Sequence, residues 1–205
     1  MKTASIPTAM LWSGFLMAAQ GATVNFNGDP FAGSTALSTP GRQVNGLGEL
    51  TLAQFDLVTD RFVFNINAFP NVGPLNFINS TLVVNGFNVI VLRDVDNDNN
   101  PATPFNAGLA ANLIANQVSS DGAGFFLYFN SALSANRLVY STNLNESNAD
   151  LAILARISSP TGQGAINALP AFTAANFSTS NVPEPSSWLL SVAGLGLAWL
   201  RFRKR

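Results

Sequence analysis

The stretch TLVVNGFNVIVLRD, residues 81–94, decides the fold class. Two apolar, β-branched runs flank Asn85-Gly86. Both of those residues tolerate positive φ, so the pair predicts a two-residue hairpin turn and, with it, antiparallel pairing. Working outward, ELTLAQFDLVTDRFVFNIN, residues 49–67, alternates Leu50, Leu52, Phe55 and Leu57, then Phe62, Phe64 and Ile66, which predicts a second hairpin turning at Thr59-Asp60-Arg61. Residues 124–130, 137–142, 151–158 and 172–178 read as further strands, while NAGLAANLIANQV, residues 106–118, spaces Leu109, Leu113 and Val118 as one short helix. Short strands separated by Gly, Asn and Pro turns predict a mainly β chain, an antiparallel β-sandwich-like body carrying that one helix.

Composition narrows the chemistry. Of the 205 residues only 10% are charged, and cysteine and histidine are both absent. No disulfide framework or thiolate nucleophile is possible. The usual general base, metal ligand and near-neutral proton switch are missing as well. A Ser-His-Asp triad is therefore excluded, and the scattered carboxylates Glu49, Asp56, Asp60 and Glu146 carry no local signature of a catalytic pair. The chain reads as a non-enzyme. Five arginines in the body (Arg42, Arg61, Arg93, Arg137, Arg156) face ten acidic residues, so the body is acidic and nucleic-acid binding is not expected.

The remaining cations sit at the two ends. Residues 1–22 read as a signal peptide forming an N-terminal signal helix: Lys2 is the positive start, residues 9–19 are apolar, and Ala19-Gln20-Gly21-Ala22 is a small-residue cleavage zone. Residues 23–178 form the β-rich extracytoplasmic body, and 179–187 a linker holding Pro183, Glu184 and Pro185. Residues 188–205 read as a transmembrane helix and basic tail, anchored by Trp188, Leu189, Leu190, Leu195, Leu197, Trp199 and Leu200. The charge-free run is shorter than the ~20 residues of a full span, a mismatch that interfacial serines and local thinning accommodate. Arg201, Arg203, Lys204 and Arg205 then stop transfer and stay on the cytoplasmic side.

A plain anchor has no need of Pro-Glu-Pro, whose prolines only keep the chain extended and exposed ahead of the helix. With Val182-Pro183-Glu184-Pro185, the apolar helix and the Arg-rich terminus in that order, residues 182–205 resemble the PEP-CTERM sorting signal of Gram-negative bacteria, also catalogued as the ice-binding protein C-terminal domain. The resemblance implies that an exosortase-type transpeptidase in the inner membrane recognises and cuts the tail, in organisms that make exopolysaccharide. It implies a membrane-anchored precursor that ends at the cell surface or in the extracellular matrix. It covers the tail alone and says nothing about the body's family.

Within the body, DVDNDNNP places Asp94, Asp96 and Asp98 at alternate positions, as the oxygen ligands of a calcium loop are placed. Asn99 stands where that loop needs glycine and Phe105 where it needs a bidentate glutamate, so the alternative is a solvated turn of Asp and Asn with no cofactor. Phe125, Phe126, Tyr128 and Phe129 allow a stacking platform for sugar rings, against the alternative that they fill a core. Three functions follow in order: a structural or adhesive matrix protein with exopolysaccharide as partner, a carbohydrate-binding or less plausibly ice-binding module, and a matrix hydrolase.

Overall fold

A computed structural model describes residues 21–35, 41–69, 71–95, 100, 102–120 and 122–180. Ten strands and two short α-helices occur among them, so the body is mainly β as expected. The pairing is not what the turn signals implied.

The second half of the body is the organising element. Strands β7 (Gly124–Asn130), β8 (Ala135–Ser141) and β9 (Leu151–Ile157) form an antiparallel meander. Alternate side chains of β7 feed two different cores: Phe125, Leu127 and Phe129 enter one, Phe126 and Tyr128 the other. A strand covered on both faces is an unbroken apolar run, which is why GFFLYFN has no polar residue before its last position. In β9 the register skips Leu154, because Leu138 pairs with Ala155 and Val139 with Ile153. This bulge turns Leu154 and Ala155 toward the same core.

Around the meander the pairing becomes parallel. On one side lie β6 (Val89–Leu92) and β5 (Phe77–Ser80), and on the other β2 (Val44–Asn45) and β3 (Leu50–Leu52), each parallel to its neighbour. These make a seven-stranded mixed sheet. A second, three-stranded sheet is parallel throughout, with β4 (Arg61–Asn65) between β1 (Thr23–Phe26) and β10 (Phe177–Ser180). The antiparallel sandwich is thus corrected to two packed sheets in which antiparallel pairing is confined to β7, β8 and β9.

Both predicted hairpins fail for identifiable reasons. Leu50–Leu52 joins the large sheet and Arg61–Asn65 the small one, where Phe62 packs on Phe177 and Phe64 on Phe26 of the strands that flank it. In residues 81–94 the positive φ at Gly86 (+92°) is real, yet the strands on either side of it run parallel. Val83 is buried against the helix-side core, and its N–H donates to Gln117 Oε1 at 2.6 Å. Asn85 Oδ1 accepts from Ser119 N at 2.7 Å. The segment therefore loops outward to the chain that follows the helix instead of folding back on itself.

Three layers result. Between the sheets, Phe64 stacks on Phe125 at 3.8 Å between centroids, and Phe26, Phe62, Phe69 and Tyr140 continue the aromatic core. On the other face of the large sheet lies α1 (Ala107–Ala115), capped by Asn106, whose Oδ1 accepts from Leu109 N. The helix falls within the predicted span, but it presents Ala107, Ala110, Ala111 and Ile114 to the sheet while Leu109 remains 41% exposed. A second helix, α2 (Gln163–Ala168), adds to the single helix expected. It starts at Gly162, whose φ is +54°, inside a stretch with no polar periodicity to announce it. Among the described residues no helix is long and apolar enough to cross a membrane. The signal-helix segment through residue 20 and the tail from 181 onward lie outside the described residues.

Candidate functional site

The sorting motif Pro183, Glu184 and Pro185, the anchor residues and the basic end all lie outside the described residues, as do Asp96 and Asp98 of the calcium candidate. Asp94 is described, two residues after β6, and its Oδ1 accepts from Val95 N at 2.9 Å. Among the described residues no three carboxylates converge into a metal-binding group.

The aromatic platform is overturned. Phe125, Phe126 and Tyr128 have no exposed surface and Phe129 only 6%, because β7 is sandwiched between the small sheet and α1. Rings facing two cores cannot stack on a ligand. The structural reading of those residues is the one that holds.

Several of the acidic residues among those described are instead engaged structurally. Glu49 receives both Nε and Nη2 of Arg137, at 3.0 and 2.6 Å, in a two-pronged ion pair that joins the start of β3 to β8 across the intervening strand. Such a fork fixes geometry as well as charge. Nearby, Asn130 Nδ2 donates to Tyr128 Oη at 2.9 Å, and burial pushes the Tyr128 phenol up, with that bond opposing. Asp60 Oδ2 accepts from Asp56 N and Asp56 Oδ1 from Val58 N, so this pair closes a turn. On the opposite side Arg42 donates to Ala149 O, Gly108 O and Asn112 Oδ1, pinning α1 to the approach to β9. Burial lowers its guanidinium pKa, and the Asp150 charge works against that.

Two clefts open on the surface. One, of about 230 Å³, lies among loops at Gly86–Asn88, Val118 and Leu144. The larger, about 340 Å³, runs from the end of β1 along residues 27–32 to Leu47–Leu50, floored by Phe26, Phe69 and Leu154. Asn25, Asn27 and Asp29 line it beside Leu47 and Leu50, which are 64% and 41% exposed. Its wall is braced by Phe31 N donating to Asp29 Oδ1 and by Asn45 Nδ2 donating to Pro30 O. Beneath, Tyr140 is pushed up to about 12, chiefly by burial and further by the negative Asp29. This combination of amide and carboxylate side chains over an apolar floor can hydrogen-bond hydroxyls while covering a carbon face. The alternation Asn25, Asn27, Asp29 between inward Val24 and Phe26 was the available sequence signal for it.

Searches against family models, curated proteins and solved structures find no match to this chain.

Proposed function

We propose that the chain is an exported protein of the cell surface or extracellular matrix, sorted by a PEP-CTERM tail and serving a structural or adhesive, non-catalytic role in exopolysaccharide. One observation carries this reading: Pro183-Glu184-Pro185, a charge-free apolar run and four basic residues follow one another at the C-terminus. The basic end and apolar run partition into the inner membrane by themselves. The Pro-Glu-Pro element adds nothing to that partitioning and so has a protein reader, an exosortase-type transpeptidase. A second reading, carbohydrate binding by the body, is favoured by the cleft at Asn25, Asn27 and Asp29 rather than by any aromatic platform.

The test compares two variants by cell fractionation and apparent mass. Alanine at 183–185 leaves insertion intact but lets uncut precursor accumulate in the inner membrane, whereas deletion of 183–205 releases a soluble body into the periplasm. Normal processing of the alanine variant rejects the sorting role. A glycan array on the released body decides the second reading.

A further inference from the structure

We propose that the leader is removed at the Gly21–Ala22 bond and that the new α-ammonium of Ala22 docks on the Asp60 carboxylate. The proposal rests on the export reading and deepens it, by fixing one bond, one residue short of the 1–22 leader read from the sequence, and giving Asp60 a role.

Ala22 N donates to Asp60 Oδ1 at 2.7 Å, and Ala22 O accepts from Arg61 N at 3.0 Å. Asp60 is held for this contact: its Oδ2 accepts from Asp56 N at 2.8 Å, and Asn176 Nδ2 donates to its main-chain oxygen at 3.1 Å. The carboxylate is thus fixed with one oxygen on the Ala22 nitrogen. The amide's bond is charge-assisted on the carboxylate side alone, whereas the same atom as an ammonium carries charge on both sides and makes an ion pair. β1 begins at Thr23, one residue further on, so a terminus at Ala22 leaves its ladder with β4 intact.

The sequence places a suitable bond there. Ala19-Gln20-Gly21 has small residues at the first and third positions before the cut. Hydrolysis adds water across the bond: the hydroxyl goes to the Gly21 carbonyl carbon, which leaves as a carboxylate with the leader, and the Ala22 nitrogen gains the proton that makes it an ammonium. No other reactant is needed.

Gly21 makes the site unusually testable. In the uncut chain a β-carbon on residue 21 would run into the Thr59 carbonyl, so only glycine fits. Gly21→Ala preserves the small-residue pattern but cannot be accommodated in the folded body. Cleavage after residue 21 discards the substitution with the leader. The experiment is therefore to express the full chain and G21A with their own leader in an export-competent Gram-negative host, and to read the N-terminus, mass and melting temperature of each.

The expected result is a start at Ala22, with parent and variant identical in mass and melting temperature. A variant one methylene heavier with a lower melting temperature, or a start at any residue other than Ala22, overturns the proposal while leaving export standing. Retention of Met1 overturns both. A second arm tests the docking: the loss in melting temperature caused by Asp60→Asn should be larger, by about 2 °C, in a full chain starting at Ala22 than in one that retains residues 19–21. Equal losses overturn the ion pair.

Discussion

Replacing Asn176 should expose how the body is closed. This side chain is 2% exposed and sits at the step into β10. Its Oδ1 accepts from Thr173 N at 2.9 Å, and its Nδ2 donates to Leu57 O at 2.9 Å and Asp60 O at 3.1 Å. It thus ties the last strand to the turn that precedes β4, more than a hundred residues earlier in the chain. Asn176→Ala removes these bonds together with a longer one from Thr173 Oγ1, and an unsatisfied buried partner costs about 1–3 kcal/mol. Since the partners are only part-buried, the expected loss is about 2–4 kcal/mol, out of a total of about 5–15 kcal/mol. With a urea slope of about 2 kcal/mol per molar, the unfolding midpoint falls by about 1–2 M.

Asn176→Asp tests the mechanism instead of the volume. It sets a carboxylate oxygen against the oxygens of Leu57 and Asp60, so the folded state favours the protonated acid and the folded pKa rises above the unfolded value of about 3.9. In the window between those two values the unfolded chain binds fewer protons. The deficit relative to the parent is therefore small below about pH 4 and grows by up to about 1.4 kcal/mol per pH unit until the folded pKa is reached. Urea titrations of both proteins between pH 3 and 8 read this directly. A deficit that is flat, or that shrinks as pH rises, would refute the assigned hydrogen bonds.

Gly124→Ala should cost about 1–3 kcal/mol, because the added carbon meets Asn88 O and Leu144 Cδ1 at 2.6 Å each inside a packed strand pair; an unchanged melting temperature would show that β6 and β7 are not so close. Tyr140, 1% exposed and with its pKa pushed up to about 12, stays protonated in the folded body after the unfolded chain has ionised at about pH 10. Stability should therefore decline by up to about 1.4 kcal/mol per pH unit between about pH 10 and 12, and Tyr140→Phe should flatten that decline. Parallel denaturation curves for the two proteins across the window would contradict the burial of the phenol.

What the sequence disclosed was local. The strands at 124–130 and 151–157 are legible because a run apolar on both faces has few other solutions. Their partners are not legible, since parallel pairing is fixed by contacts far apart in the chain. Asn85-Gly86 illustrates the divide: positive φ is found at Gly86 and not at Asn85, and the direction of the following strand depends on Gln117 and Ser119 capturing Val83 and Asn85. The helix was found through its leucines and is packed through its alanines, because small residues at i, i+3 and i+4 let it approach the sheet. Asn176 carried only the local mark of a capping pair with Thr173, while its long-range value lies in two carbonyls on a distant turn. The cleft residues Asn25, Asn27 and Asp29 were visible as an alternation but not as a concavity, which needs Leu47–Leu50 brought alongside.

The small sheet also sets how the body bears a pull. β1 begins opposite Arg61 at one end of β4, and β10 ends with Ser180 opposite Asn65 at the other. Tension applied between the two ends of the body therefore runs lengthwise through three parallel strands. It slides β1 and β10 along β4 in opposite senses, so the rungs of each ladder are strained together instead of opening one after another as at the mouth of a hairpin. Rupture then needs several bonds to fail at once. A pull between Ala22 and Ser180 therefore loads both ladders lengthwise, with Asn176 acting as the latch at one end of the clamp.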